Sequence, residues 1–256
     1  IRFELDRTPP RIAISRPVRD GWVSPAATVR GSVEDRNLAL YTVSASPAGS
    51  GAVELVRATQ GSSAEGDLAP LSALAEGPHV LSVVASDTAE NEASLDVPFL
   101  VDATPPRALI QSPARGAVLR KGEAPVAVVG LVRDDHLESW TLRFGAGAEP
   151  ADFATIAQGQ GGGDGFPLGA WDVRFVPDGV YTLSLVAVDR AGLTAESRVV
   201  VTLDGLPPTT TLSSPKEGGY VRLPGPVFGA VTDANLVGWD LEVAPGAAAT
   251  HHWSST

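Results

Sequence analysis

Between Val180 and Asp189 the chain alternates, with Tyr181, Leu183, Leu185 and Ala187 on one parity and Thr182 and Ser184 on the other. A period of two predicts a strand with one face turned inward. The same pattern occurs earlier, where Leu81, Val83 and Ala85 read as inward and Ser82 as outward. The runs Glu92–Asp102 and Ala195–Asp204 follow turn-like loops and complete a predicted hairpin in each case. Nothing combines a 3.6-residue period with helix caps. The stretch "LAPLSALAEG" (Leu68–Gly77) comes nearest to a helix. Strands spaced about ten residues apart predict an all-β chain of sandwiches.

The elements repeat. Gly31, Gly130 and Gly229 recur at a spacing of 99 residues, as do Asp35, Asp134 and Asp233, and Leu38, Leu137 and Leu236. Tyr41, Trp140 and Trp239 keep the same interval. The shared phrases are "GSVEDRNLALY", "GLVRDDHLESW" and "GAVTDANLVGW". "EGPHVLSVVASD" (Glu76–Asp87) matches "DGVYTLSLVAVD" (Asp178–Asp189) at an offset of 102. So many aligned columns imply a tandem array of units of about 100 residues.

Between units stands an Asp, two residues and a proline pair: "ELDRTPPRIAISRP", "LVDATPPRALIQSP" and "TLDGLPPTTTLSSP". Each proline fixes φ and holds the preceding residue extended. It also lacks an amide donor, so one sheet ends cleanly before the next begins. The seam reads as a stiff joint, too short for free tumbling. Residues 1–6 are expected to be the tail strand of a preceding module. Modules follow at 7–102 and 103–204, and 205–256 reads as the N-terminal part of a third. That third unit lacks a counterpart of "DGVYTLSLVAVD", so the chain is expected to be a segment of a longer polypeptide.

The run D-x-T-P-P…G-x-V…D-x-x-L…W…DG-x-Y-x-L-x-V-x-A-x-D-x-A-G resembles the bacterial Ig-like or fibronectin type III-like modules of large surface and secreted proteins. The resemblance covers the whole chain and implies tandem Ig-like β-sandwiches; for function it is weak. His79 stands where the second unit has Tyr181, and "TAEN" where it has "RAGL", so the first copy departs from the pattern. Tyr181, after Asp178–Gly179, resembles the corner tyrosine of such folds. The resemblance places Tyr41, Trp140 and Trp239 in the core rather than on a sugar platform.

Composition narrows the functions. The net charge is −11, and among 19 basic residues only Lys121 and Lys216 are lysines, which argues against nucleic acid and anionic membranes. No apolar run approaches the ~20 residues a helical span needs. With no cysteine, disulfides, thiolate metal sites and thiol catalysis are excluded. A cysteine-free chain is compatible with an exported surface protein.

Catalytic motifs are wanting. His251 and His252, on a strand, would face opposite ways. "GQGGGDG" (Gly159–Gly165) has a phosphate-loop spacing with no βαβ setting, and reads as a flexible loop. The acidic residues are more informative. In a seven-strand sandwich two loops return to the pole where the linker arrives. They would bring Asp134, Asp135 and Asp189 to Asp102, and Asp35 and Asp87 to Asp6, with Asp204 and Asp233 starting a third cluster. Calcium takes six to eight oxygens and could clamp such a joint. Asp equally caps turns by accepting backbone amides, so both readings are open.

The expected function is a non-catalytic spacer in an exported surface protein, extracellular or on the cell surface, whose partners are neighbouring modules. Two alternatives stand beside it. One is a module binding a glycan or protein through the long loop Gly145–Gly165. The other is an accessory segment of a secreted enzyme or repeat-containing toxin.

Overall fold

The computed structural model describes residues 5–47, 51, 53–59, 64–122, 124–222 and 224–243. Every regular element among them is a strand; the stretch Leu68–Gly77 begins in a strand that stops at Pro70, and a turn rather than a helix follows.

In the first module β1 (Arg11–Arg16), β3 (Thr28–Glu34) and β6 (Ala64–Pro70) form one sheet, ordered β1-β3-β6. The facing sheet contains β2 (Gly21–Val23), β4 (Leu38–Pro47), β5 (Val53–Thr59), β7 (Gly77–Asp87) and β8 (Glu92–Val101), ordered β2-β8-β7-β4-β5. The second module repeats this plan. Strands β9 (Arg107–Ser112), β11 (Val126–Arg133) and β14 (Gly163–Trp171) make the smaller sheet. The larger holds β10 (Val118–Arg120), β12 (Leu137–Ala146), β13 (Ala154–Gly159), β15 (Gly179–Asp189) and β16 (Thr194–Asp204). Beyond the last seam, β17 (Thr209–Ser214) pairs with β18 (Phe228–Thr232).

Each module closes its own core. Val43, Leu81, Val83 and Phe99 belong to one buried cluster, and Trp140, Leu142, Leu183 and Leu185 to a second. A fully buried aliphatic side chain is worth about 1.5–3 kcal/mol, so each cluster can hold its two sheets together. The corner tyrosine is in place: Tyr181 donates its hydroxyl hydrogen to the Pro177 carbonyl at 2.9 Å.

Several details depart from the pattern read in the sequence. Each module has eight strands rather than seven, because β2 and β10 add short parallel strands beside β8 and β16. Thr182 and Ser184 are buried as well as their inward neighbours. Thr182 donates to the carbonyls of Gly147 and Ala148, and Ser184 to Glu196 at 2.6 Å, so polar partners cover that face. Tyr41 packs at the edge of the first core and Trp140 is buried in the second. Trp239, however, is 63% exposed, since among the described residues no second sheet faces β17 and β18.

Gly145–Gly165 is not an open loop: β13 and the start of β14 lie within it. Its glycine run carries the chain from β13 in the larger sheet to β14 in the smaller. A Cβ on Gly159 would meet the Trp140 ring, and one on Gly162 would strike the Val132 carbonyl. Trp140 also donates its indole N–H to the Gly161 carbonyl at 2.6 Å.

The repeated glycines have a backbone cause. Gly31 pairs with Ile14, Gly130 with Ile110 and Gly229 with Leu212, and beside each pair the register slips. One extra residue, Ser15, Gln111 or Ser213, bulges there, pressing the partner strand inward. A Cβ on these glycines would collide with the carbonyl oxygen of Ala13, Leu109 or Thr211. Gly130→Ala is therefore expected to destabilise the second module by about 1–3 kcal/mol. Gly161→Ala, with open space around its Cβ, should stay within about 0.5 kcal/mol. Urea unfolding followed by tryptophan fluorescence of the full chain checks both.

Candidate metal centre at the module joints

Each seam aspartate divides its two oxygens between the chain that carries it and the module that follows. Oδ1 of Asp6, Asp102 and Asp204 accepts the backbone N–H two residues on, from Thr8, Thr104 and Leu206, at 2.9–3.0 Å. Oδ2 accepts from a side chain of the next module: Asn37 Nδ2 at 3.1 Å, His136 Nδ1 at 3.0 Å and Asn235 Nδ2 at 2.6 Å. The residue that reaches back is itself held by a turn. Asp35, Asp134 and Asp233 each accept its backbone N–H at 2.7 Å. Turn capping, one of the two readings of these aspartates, thus accounts for half of their oxygens.

Two groups bring at least three potential ligands together, with one donor atom from each residue within 4.8 Å of the others: Asp6, Asp35 and Asp87, and Asp102, Asp134 and His136. Asp135 is exposed and lies outside the second group. Asp189 is the residue equivalent to Asp87, at the end of β15. It pairs with Leu137, and the amide of Arg190 donates to the His136 carbonyl at 3.0 Å, placing it beside the group.

The two poles differ in how their carboxylates are satisfied. Asp87 is 3% exposed, and both of its oxygens are used. Oδ1 accepts the amides of Ala89 and Asn91, and Oδ2 accepts Asn91 Nδ2 at 2.7 Å. In the second module Leu193 stands where Asn91 would be. Its amide still reaches Asp189 Oδ1 at 2.8 Å, but no side-chain donor remains. Asp189 is 2% exposed, and its Oδ2 is buried without a hydrogen-bond partner. The titration behaviour follows. The Asn91 side chain draws the Asp87 carboxyl down, against its burial, and Asn235 does the same for Asp204. Burial pushes Asp189 up, and the charges of Asp102 and Asp134 add to that despite the Leu193 amide.

His136 was not among the residues the sequence singled out, because metal spacing along the chain gave it no partner. Its partners come from the preceding module. Besides Asp102, the Trp22 ring lies 4.0 Å from the imidazole, centroid to centroid, tilted by 38°. Strand β2 carries Trp22 there by running parallel to β8, with Val23 accepting the Asp102 amide at 3.0 Å. His251 and His252 lie outside the described residues.

No family model matches the chain, and no curated protein does. Among solved structures it is similar to a tetra-tandem repeat from the extending region of a large adhesion protein, at 20% identity over 89% of this chain and 64% of that one, TM-score 0.36. A structure concerning host cell surface retention of a 1.5-MDa bacterial ice-binding adhesin matches at 17% over 82% of this chain and 71% of that one, TM-score 0.33. A Ca2+-stabilized adhesin that helps an Antarctic bacterium bind ice matches at 18% over 82% and 53%, TM-score 0.36. The chain spans less than two thirds of the first and third of these. The fold is that of two β-sandwich modules in tandem, each with its own core, followed by the strand pair β17–β18.

In metal-free protein the carboxyl groups should titrate in a set order by NMR: Asp87 and Asp204 below the usual carboxylate range and Asp189 above it. A lowered group adds stability at higher pH that is lost as pH falls through its folded value. Asp189 has the opposite sign: its cost sets in as pH rises past the ordinary carboxylate value, grows until its raised value is reached and is constant beyond it. Asn235→Ala should return Asp204 towards the usual range, and an unmoved Asp204 would contradict the seam bond.

Proposed function

We propose that the chain is a non-catalytic stalk segment of a large exported surface protein, spacing a functional region from its anchor. The observation that carries this reading is the seam bond repeated three times, Asp6 to Asn37, Asp102 to His136 and Asp204 to Asn235. A chain selected only to carry independent folded units has no need of the same interlock at every junction. Two prolines and a bond reaching into the next module limit both bend and twist at the joint. Its partners are then the adjoining modules of one polypeptide, outside the cell or on its surface.

The binding-module alternative gains little from the segment 145–165. Phe153, its one aromatic near β12, sits under two guanidinium groups, Arg143 at 4.5 Å and Arg198 at 5.6 Å from the ring centroid, rather than being free to stack on a ligand.

Small-angle scattering of the full chain tests joint stiffness. Replacing Pro105 and Pro106 with glycine, together with Asp102→Ala, should leave each module folded by circular dichroism while shortening the mean end-to-end length. The lost hydrogen bond should cost the joint about 1 kcal/mol. Identical scattering from both proteins would remove the stiff-stalk reading.

A further inference from the structure

We propose that the joint between the first and second modules binds a divalent first-row transition ion, of the zinc class, through Asp102, Asp134 and His136, with the buried Asp189 carboxylate beside them, whereas the equivalent pole of the first module binds none. The inference deepens the stalk reading by assigning one joint a metal lock, and the stalk can stand without it.

Three observations carry it. First, the two poles hold the same aspartates but different neighbours. At the first pole Asn37 and Asn91 supply amide hydrogens to Asp6 and Asp87, so the protein neutralises its own carboxylates by hydrogen bonding. At the second pole both amides are gone, replaced by His136 and Leu193. Second, these replacements leave Asp189 Oδ2 buried with no donor, beside a group already holding Asp102, which is 1% exposed, and Asp134. Buried, unpaired carboxylate oxygens are costly unless a cation or proton meets them. Third, the replacement for one asparagine is a metal-ligating side chain, and it is held in place. Trp22 packs on the ring and the Asp134 cap fixes the backbone N–H at 2.7 Å.

The donor set selects the ion. Calcium prefers six to eight oxygens and an imidazole offers it nothing. One nitrogen with carboxylate oxygens suits the borderline ions, which bind at about 2.0–2.2 Å, usually with four ligands. The donor atoms of Asp102, Asp134 and His136 lie within 4.8 Å of one another, so one ion can reach all three once the side chains close on it. Because Asp102 ends one module and the other ligands belong to the next, the ion would bridge the seam.

The test uses the full chain carrying His251→Ala and His252→Ala, which removes the adjacent histidine pair as a competing zinc site. After dialysis against EDTA, calorimetric titration with ZnCl2 is expected to show one saturable site per chain, with a raised melting temperature. CaCl2 at the same concentration should give neither. His136→Asn copies the residue present at the other two joints, so it should fold, and it should weaken zinc binding at least about tenfold. Leu193→Asn restores the amide that Asn91 provides and removes no ligand, yet it too should weaken binding. No zinc binding overturns the site, and an equal response to calcium overturns the transition-ion assignment. Unchanged affinity in His136→Asn overturns the role of the imidazole. A second site of equal affinity overturns the contrast between the poles. Scattering of the metal-free chain reports on the stalk independently, so loss of the metal site and loss of the stalk reading are told apart.

Discussion

A single carboxylate at each seam, bonded one way to its own linker and the other way to the following module, is the contact on which the joint geometry depends. The linker is too short to have a core of its own. Without Oδ1 accepting the amide two residues on, the chain after Asp102 would lack its turn. Without Oδ2 accepting His136, that carboxylate would lose its polar tie across the seam. Rigid sandwiches on either side make the contact consequential, because each core is a separate buried cluster closed by its own sheets.

Variation at this contact is confined to a few positions. Asparagine at two joints and histidine at the third keep the same bond to aspartate while changing what else the site can do. The exchange of Asn91 for Leu193 has the larger electrostatic effect. It turns a carboxylate whose titration is drawn down by a side-chain amide into one pushed up by burial. The short parallel strand at the end of each module adds another difference. Trp22 in the first module faces an imidazole, while the equivalent Val118 in the second is 51% exposed.

Elsewhere the charged groups support structure. Glu196 accepts Arg198, Ser184 and Arg143, and these bonds hold its carboxyl down to about 2 despite its partial burial. Ser184, fully buried beneath that network, is thereby a structural hydroxyl, with no imidazole among the partners recorded for it.

Strand positions, the repeat and the seams were legible in the sequence because they rest on local rules. Period-two alternation marks a half-buried strand, proline marks the end of a sheet, and recurring Gly31, Gly130 and Gly229 mark a backbone constraint. What caused that constraint was not legible, since the bulges at Ser15, Gln111 and Ser213 are a matter of pairing between strands. Convergence of Asp102 with Asp134 could be anticipated from loop order, but the separation of Asp135 from them depends on which way a turn residue points. His136 and Trp22 escaped notice for a different reason. They lie 114 positions apart and belong to different modules, so only the docking of one module on the next makes them neighbours. The unpartnered Oδ2 of Asp189 goes with Leu193 standing where the first module has Asn91; the residue difference is in the sequence, but that it strips a buried carboxylate of its donor is a fact of tertiary packing.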